Sequence, residues 1–377
     1  LFRSLNPLLL IAFVIVFNVI FSFHKRMLIN KARIKLLKYN KLKIIGVTGS
    51  FGKSSVKDFI SEVISVQFKV VKTPANINSD IGIAQFILRN DFSKIDYFVV
   101  EMGAYRIGEI ATICKMAPPD YAVITAIGEE HVSLFGSIEN IKIAKSEIFK
   151  FAKPKAKFFL NIDNEGNQEI FKKYKQAITY GTTKQAKFKA SSIETTQNGL
   201  IEFNYNSYKF HPQISGEHQA VNIIGAIAVA TTLGVPIEQI TTCINKLQTR
   251  TQTLTAKKSK TGCTILDDSY NSNPAGFLSA IDTAKKIPAK RKILITMGML
   301  ELGSLQAPMH AKVGASASKV FDEIIITRAE VFDFFDNAKL IENPKELSQY
   351  LNSLELNNSD LILIENRLYN NVYNQLI

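Results

Sequence analysis

One short glycine-containing segment carries the residues best suited to chemistry. It reads Gly46-Val47-Thr48-Gly49-Ser50-Phe51-Gly52-Lys53-Ser54-Ser55 and lies between an apolar run and a stretch with helical spacing. Glycines let backbone N–H groups approach phosphates, and a helix N-terminus adds partial positive charge. Lysine and the hydroxyl after it can then reach the β- and γ-phosphates and Mg²⁺. The strict consensus has glycine at the position of Val47. The order Gly-Lys-Ser between strand and helix nevertheless predicts a nucleotide site formed by Gly49, Ser50, Phe51, Gly52, Lys53, Ser54 and Ser55.

The elements around this loop predict an α/β fold with a mainly parallel sheet. Apolar runs typical of strands lead into the loop and recur at Tyr97–Val100, Tyr121–Thr125 and Phe158–Asn161, with helical stretches between them. Strands that alternate with helices are typical of parallel sheets. The stretch from Lys187 to His211 alternates polar and apolar residues, which predicts a small antiparallel insertion.

A second α/β unit is predicted after a boundary near Gln248. Helices are expected at Gln219–Leu233 and then to about Leu247. New strands follow at Thr264–Asp267, Lys292–Thr296, Glu323–Thr327 and Leu361–Ile364. We therefore expect a P-loop ATP-binding central domain over residues 43–248 and a smaller Rossmann-like domain over residues 249–377.

The N-terminal region predicts one transmembrane helix. From about Leu5 to Phe23 there is no charged residue, and this length is close to the ~20 residues that span a bilayer core. Eight Lys and Arg residues without an acid follow between His24 and Lys43. A signal peptide would have its basic residues first and a cleavage site afterwards; a buried core helix is the other alternative. We expect a membrane segment at 1–24, a basic linker at 25–42, and catalytic domains on the cytoplasmic side of the inner membrane.

The overall charge of +13 does not indicate a nucleic-acid partner. Eight of these charges lie in the juxtamembrane run, and no basic stripe with interleaved aromatic residues lies elsewhere. The three cysteines, Cys114, Cys243 and Cys263, form no CxxC pair, so neither a zinc knuckle nor a disulfide framework is indicated.

Several further segments, taken in order, resemble the Mur ligases of cell-wall synthesis, and among them the D-alanyl-D-alanine-adding type. Besides Thr48–Ser54, the resemblance is carried by Thr73-Pro-Ala-Asn76-Ile-Asn78, Glu101-Met-Gly-Ala104, Ile127-Gly128 with His131, Ala144-Lys145-Ser-Glu147, Gly216-Glu-His218 with Asn222, Asp267-Asp268-Ser-Tyr270-Asn271-Ser-Asn273-Pro274 and Met299-Leu-Glu301-Leu-Gly303. It covers roughly residues 43–315. Before the phosphate loop, this chain has the apolar segment where that type has a UDP-binding domain.

A metal site is expected beside the phosphate loop. Glu101 ends a predicted strand at the edge where α/β sheets bind ligands, and a carboxylate there can hold Mg²⁺. The resemblance implies two Mg²⁺ ions held by Ser54, Glu101, His131 and Lys145, with Lys145 carbamylated. It also implies Lys53, Lys145 and His131 as the catalytic residues.

The resemblance assigns further contacts and the reaction itself. The nucleotide would contact Asn222, Asp268, Asn271 and Arg250, and the substrate Thr73, Asn76 and Asn78. The implied reaction forms an acyl phosphate from ATP and a substrate carboxylate, then an amide with an incoming amine. Its expected partners are small molecules: ATP, UDP-MurNAc-tripeptide or a similar carboxylate, and D-Ala-D-Ala or an amino acid.

Two other functions are compatible with the phosphate loop. One is a poly-γ-glutamate or folylpolyglutamate ligase, which would keep the chemistry and take L-glutamate as the amine. The other is a non-catalytic nucleotide-binding scaffold at the membrane. The segments at residues 101–104, 267–274 and 299–303 favour the D-Ala-D-Ala type.

Two segments differ from the usual sequence of the family. This chain has Met297-Gly298 where the family usually has Gly-Asp, and Glu365-Asn366-Arg367 where it tends to have Gly-Ser-Arg. The resemblance implies that both lie in the domain that selects the amine.

Overall fold

In the computed structural model, two sheets organise the protein, one parallel and one mainly parallel. The structure describes residues 2–129, 132–248, 254–269, 272–300 and 302–376. A long helix, α1 (Phe2–Leu37), comes first. It is continuous across the basic run, which the sequence analysis separated as a linker. Its C-terminal part is anchored by Ala32 and Leu36, which are buried in the same core as Ile83 and Ile113.

The first sheet forms a central unit. Its seven strands lie in the order β2-β3-β1-β4-β5-β6-β7 and pair only in parallel. They are β1 (Lys43–Thr48), β2 (Val70–Lys72), β3 (Tyr97–Glu101), β4 (Tyr121–Ile124), β5 (Lys157–Asn161), β6 (Ile178–Gly181) and β7 (Phe188–Lys189). The helices are α2 (Lys53–Ile64), α3 (Asp80–Arg89), α4 (Glu109–Met116), α5 (Val132–Phe135), α6 (Ile138–Lys150), α7 (Glu165–Lys173), α8 (His218–Thr232) and α9 (Ile237–Asn245).

Helices cover both faces of this sheet, which explains the continuous apolar strands. Along β3, Phe98 and Val100 pack into the core with α3, α4 and α6. Val99 points to the opposite face and packs with α2 and α8. This alternation fixes the register, so the carboxyl ends of β1, β3 and β4 meet at one edge.

The predicted insertion at Lys187–His211 is only partly antiparallel. Its first residues form β7, which continues the main sheet beside β6. The remainder forms a separate antiparallel sheet of β8 (Ser191–Thr195), β9 (Ile201–Tyr205) and β10 (Tyr208–Phe210). The period-2 pattern identified strands here but could not specify their partners.

The second sheet forms a C-terminal unit. Its strands lie in the order β11-β12-β16-β13-β14-β15, with β11 antiparallel to β12 and the other pairs parallel. They are β11 (Thr255–Lys258), β12 (Thr264–Asp268), β13 (Arg291–Thr296), β14 (Glu323–Ile326), β15 (Lys339–Leu340) and β16 (Asp360–Glu365). The helices are α10 (Pro274–Lys286), α11 (Gln306–Ala317), α12 (Pro344–Ser353) and α13 (Asn370–Leu376), with 3₁₀ turns at Gly303–Leu305 and Ala329–Phe334.

Candidate active site

The phosphate loop depends on two glycines at its turns. Gly49 has φ +150°, and a Cβ there would lie 2.0 Å from Thr125 Oγ1. Gly52 has φ +79° and precedes α2, and its Cβ would lie 2.6 Å from Asn222 Oδ1. No other side chain fits either position without displacing a neighbour. The loop is therefore packed tightly between the end of β4 and helix α8.

Backbone and side-chain hydrogen bonds hold the loop in its conformation. Ser50 N donates to Ala126 O at 2.5 Å, and Gly128 N donates to Ser50 Oγ at 3.0 Å. Lys53 lies at the start of α2, and its Nζ donates to Ser50 O at 2.6 Å. The ammonium thus lies against the loop itself, where a bound phosphate would also be cradled.

Glu101 is the centre of a buried polar cluster beside the loop. It lies opposite Val47 in the β1–β3 pairing and is 3% exposed. Its Oε2 accepts from Ser54 Oγ at 2.8 Å, and its Oε1 accepts from Asn78 Nδ2 at 3.1 Å. Its backbone N–H donates to Thr73 Oγ1 at 3.1 Å. The cluster brings one phosphate-loop residue, Ser54, and one predicted substrate residue, Asn78, to a single carboxylate, and a second predicted substrate residue, Thr73, to the backbone of the same glutamate.

Lys57 is a member of this cluster that the sequence analysis missed. Its ammonium lies 3.2 Å from Glu101 Oε2, and its side chain is 2% exposed. The sequence carries a pattern that could have identified it, because Lys57 lies on the same face of α2 as the buried Ile60 and Ile64. Lysine is almost never fully buried unless it is paired. A lysine on the apolar face of a helix next to a phosphate loop therefore indicates a buried carboxylate partner.

The residues at Glu101 fit a magnesium ion whose coordination is completed by substrate. Mg²⁺ is usually held by one or two carboxylates together with substrate phosphates and water. Ser54 and Glu101 supply a hydroxyl and a carboxylate at the mouth of the phosphate loop. Across the described ranges, no group of three or more His, Cys, Asp or Glu side chains forms a metal cage. This donor set suits an ion that arrives with the nucleotide.

A single cleft of about 940 Å³ between the two units collects most of the predicted site residues. It is lined by Ser50, Phe51, Gly52, Lys53, Ser54, Ser55, Thr73, Asn76, Asn78, Glu101, Lys145, Asn222 and Asp268. Gly49 is buried within the loop. His131, Arg250 and Asn271 lie outside the described residues, so their predicted roles stay predictions. Asn222, predicted at the adenine, lies against Gly52 of the phosphate loop.

Lys145 is buried in this cleft. It lies on α6 and is 2% exposed, so it is not a solvated helix lysine. Its Nζ lies 5.7 Å from the centre of the Phe135 ring, within the range of a cation–π contact.

Two contacts join the units near the cleft. His218 Nδ1 lies 2.7 Å from Ser279 Oγ, which connects α8 to α10. Lys286 forms an ion pair of 2.9 Å with Glu217 at the same junction. The conformation described here therefore has the C-terminal unit docked beside the nucleotide site.

An acidic pair lies on the C-terminal side of the cleft. Asp268 and Glu365 are opposite each other in the β12–β16 pairing, and Glu365 is fully buried. Ser272 Oγ donates to Glu365 Oε1 at 2.6 Å, whereas Oε2 has no hydrogen-bond partner among the described residues. Burial and the charge of Asp267 raise the pKa of Asp268 to about 7. Burial and the charge of Asp268 raise the pKa of Glu365 well above its ordinary value.

This pair makes the C-terminal unit less stable as the pH rises. A carboxyl whose pKa is higher in the folded than in the unfolded protein binds its proton more tightly when folded. Its stabilising contribution to the free energy of unfolding is therefore fully present below pH ~4.3 and is lost progressively as the pH rises above that value. We expect Glu365→Gln to leave the melting temperature near the parent value at pH 5 and to raise it by roughly 3–6 °C at pH 8. Calorimetry at both pH values measures this difference.

Glu346→Gln, at an exposed position of α12, is the control and should show no such pH dependence. An equal shift at pH 5 and pH 8 for Glu365→Gln would contradict the interpretation.

The fold and site together define an ATP-dependent ligase with a P-loop central unit and an α/β unit docked across the nucleotide cleft. Residues 47–230 match the model of the Mur ligase middle domain, and residues 249–365 match that of the Mur ligase, glutamate ligase domain. The chain belongs to the Mur ligase family.

Curated relatives include two UDP-N-acetylmuramoyl-tripeptide–D-alanyl-D-alanine ligases. The protein of Bacillus subtilis (strain 168) is 30% identical over 318 residues, which cover 83% of this chain and 69% of that protein. The protein of Buchnera aphidicola subsp. Acyrthosiphon pisum (strain APS) is 29% identical over 348 residues, which cover 87% of this chain and 74% of that protein.

Solved structures give the same picture of the fold. MurF from Acinetobacter baumannii superimposes with a TM-score of 0.82 at 23% identity and covers 91% of this chain, which spans 77% of that one. MurF ligase from Thermotoga maritima in complex with ADP gives a TM-score of 0.80 at 26% identity, with coverages of 91% and 80%. The predicted P-loop unit with a parallel sheet, followed by a smaller α/β unit, is confirmed.

Proposed function

We propose that this ligase joins D-Ala-D-Ala to the terminal carboxylate of a muramoyl tripeptide, the reaction for which its relatives are named. The observation that carries the proposal is the cluster in which Ser54, Asn78 and Lys57 converge on Glu101 next to the phosphate loop. The cluster supports a position for the substrate at Asn78 and one for the ATP phosphates at Ser54, because the two residues bind different oxygens of the same carboxylate.

The first step transfers the terminal phosphate of ATP. An oxygen of the substrate carboxylate attacks the γ-phosphorus, the bond to the β-phosphate oxygen breaks, and ADP leaves. Lys53 and the backbone N–H groups of the loop offset the negative charge that gathers on the transferring group. Magnesium held at Ser54 and Glu101 would supply further charge neutralisation. Asn76 and Asn78, which line the same cleft, would hold the peptide.

The second step forms the amide. The amine nitrogen of D-Ala-D-Ala attacks the acyl carbon, inorganic phosphate leaves, and the nitrogen releases its proton. The acyl phosphate must be kept from water during this step. The docked C-terminal unit, joined through the contact of His218 with Ser279, provides that shield.

Release of ADP tests the proposal directly. The protein with helix α1 intact, in detergent, would be given ATP, UDP-MurNAc-tripeptide and D-Ala-D-Ala, and then each mixture lacking one component. We expect ADP to form in the complete mixture alone, and L-glutamate in place of D-Ala-D-Ala to give little. ADP release only with L-glutamate would point to the polyglutamate-type reaction. Nucleotide binding without substrate-dependent ADP release would point to a scaffold.

We further propose that Lys145 is carbamylated in the active enzyme. Its amine would add to carbon dioxide and release a proton, which turns a cation into an anionic oxygen ligand. Its burial and its place in the lining of the same cleft as Glu101 support this proposal.

Lys145→Ala is expected to lower turnover by about 10²-fold or more, and short-chain carboxylic acids should restore part of the loss by taking the place of the carbamate. Lys150→Ala, at an exposed position on the same helix, is the matched control and should retain its activity. Native mass spectrometry of the parent protein should show the added mass of one carbon dioxide, which Lys145→Ala should lack. Full activity of Lys145→Ala without added acid would exclude the carbamate.

The apolar half of α1 supports membrane attachment. Among the residues that the structure describes, one helix is long and apolar enough to cross a bilayer. Its described side chains run from Leu9 to Leu37, and none of its most apolar window is buried. A core helix would be buried, so this alternative is not supported. We propose that α1 anchors the enzyme, with Lys25, Arg26 and the following basic residues on the cytoplasmic side.

A further inference from the structure

The C-terminal unit brings one arginine into the catalytic cleft. Arg367 follows β16 and lines the cleft that also contains the phosphate loop of the central unit. The residue is exposed, and its guanidinium has no hydrogen-bond or ion-pair partner among the described residues. It is also the only cationic side chain that the described part of the C-terminal unit contributes to the cleft. This guanidinium is therefore available to a ligand.

The preceding residue fixes the backbone of Arg367. Asn366 is 4% exposed and has φ +65°, in the left-handed region that asparagine tolerates better than most residues. Its N–H donates to Asp268 O at 3.1 Å, and its Nδ2 donates to Gly298 O at 2.6 Å. Its Oδ1 accepts from Arg367 N at 2.8 Å. The backbone from which the arginine side chain extends is thus held against the end of β12 and the segment after β13.

The segment after β13 adds apolar surface to the same cleft. Leu300 and Leu302 line the cleft, and Leu300 is 41% exposed. The segment continues to Leu305, which packs against the cores of both units. It therefore connects the support of Arg367, through Gly298, to the central unit. A ligand that has a carboxylate and small apolar groups matches what the C-terminal unit offers here.

The incoming amine is the reactant that best fits this arginine. The ATP phosphates are assigned to the phosphate loop with Lys53, and the reacting end of the tripeptide to Asn78. The pyrophosphate of the UDP carrier is separated from the reacting carboxylate by the sugar and three residues, more than about 10 Å when extended.

D-Ala-D-Ala brings its own anionic group to the cleft. At neutral pH it is a zwitterion, with a carboxylate at the end opposite to the reacting amine. Two extended residues span at most about 7 Å, so the carboxylate would still lie in the cleft when the amine reaches the acyl carbon. The planar guanidinium of arginine binds a carboxylate through two parallel hydrogen bonds.

We propose that Arg367 binds the terminal carboxylate of the incoming dipeptide and that Leu300 and Leu302 contact its methyl side chains. This inference rests on the proposed ligase function and names the group of the amine that the C-terminal unit recognises. A site built to bind a charged group discriminates strongly against an analogue that lacks it. Arg367 acts on binding of the amine and not on phosphoryl transfer, so its effect appears in KM for the amine. The chemistry of the two steps is unchanged.

The parent protein provides the first test, with ATP and UDP-MurNAc-tripeptide at saturation and the amine varied. D-Ala-D-Ala and its C-terminal amide would be compared by the release of ADP. The amide keeps the shape of the dipeptide and loses its negative charge. We expect kcat/KM to be about 10–100-fold lower for the amide, because a charge-assisted hydrogen bond is lost. Equal values for the acid and the amide would overturn the inference and leave the ligase function intact.

Variants of Arg367 then assign the discrimination to this residue. Arg367→Gln should raise KM for D-Ala-D-Ala by at least about tenfold and leave kcat and KM for ATP within about twofold of the parent values. It should not change KM for the amide, so that the acid and the amide become equivalent. Arg367→Lys keeps the charge and should retain part of the preference for the acid. Lys345→Gln, at an exposed position of α12, is the control and should keep the parent preference.

Two results with these variants would overturn the inference alone. One is a preference for the acid that persists unchanged in Arg367→Gln. The other is a rise in KM for ATP or for the tripeptide in place of the rise for the dipeptide. No turnover of any amine by the parent protein would overturn the proposed function and this inference with it.

Discussion

Replacing Lys53 by alanine is expected to lower ADP formation by about 10³-fold with little effect on folding. Loss of a single group that stabilises transition-state charge commonly costs 10²–10³-fold, and the ammonium of Lys53 lies directly against the phosphate loop. Its Nζ donates to Ser50 O at 2.6 Å, a bond that is local to the loop. Steady-state kinetics with saturating Mg²⁺ would show the effect mainly in kcat.

Lys69→Ala is the matched control for this variant. Lys69 is an exposed lysine of the same unit, on the chain between α2 and β2. It should show parent kinetics and an unchanged melting temperature. If Lys53→Ala kept more than a tenth of the parent turnover, the phosphate loop would not be the site of phosphoryl transfer.

Glu101→Gln is expected to abolish Mg²⁺-dependent turnover, by at least about 10²-fold, and to lower stability as well. The amide keeps the shape but loses the charge that would bind the metal. It also removes the nearer and more deeply buried of the two carboxylates beside the Lys57 ammonium, Glu101 at 3.2 Å, and leaves Asp58 at 3.9 Å. Breaking a buried pair by removal of one partner typically costs about 3–5 kcal/mol.

A double variant separates the two effects. Lys57→Met with Glu101→Gln removes the buried ammonium that has lost its nearer partner, so the melting temperature should return most of the way to the parent value. Turnover should stay lost, because the metal ligand is still absent. Activity that returned together with stability would show that Glu101 acts only by holding Lys57.

The phosphate loop and the strand that ends at Glu101 could be predicted because both depend on local patterns. An apolar strand followed by Gly-Lys-Ser can be identified within ten residues, and the carboxyl ends of parallel strands share one edge whatever the rest of the chain does. The prediction of Lys145 and Asn222 in the same cleft depended on the family resemblance, since neither residue has a distinctive local setting.

Contacts between distant segments were not predictable from local patterns. The pairing of Lys57 with Glu101 joins residues 44 positions apart and requires the β1–β3 register to be known. The same holds for β7, whose two residues join the main sheet because β6 offers a free edge there. The burial of Glu365 follows from the pairing of β12 with β16, nearly a hundred residues apart in sequence. Composition alone would place such an acid at the surface.

The path of oxygen from the substrate carboxylate to phosphate tests the central claim most directly. The tripeptide would carry ¹⁸O in both oxygens of its carboxylate. Attack on the γ-phosphorus then places one labelled oxygen between the acyl carbon and the phosphorus, and this oxygen later leaves with phosphate. We predict that each inorganic phosphate released in the presence of D-Ala-D-Ala carries one ¹⁸O, as measured by mass spectrometry or by the ³¹P chemical shift. Unlabelled phosphate from a reaction that still makes the amide would contradict the acyl-phosphate mechanism.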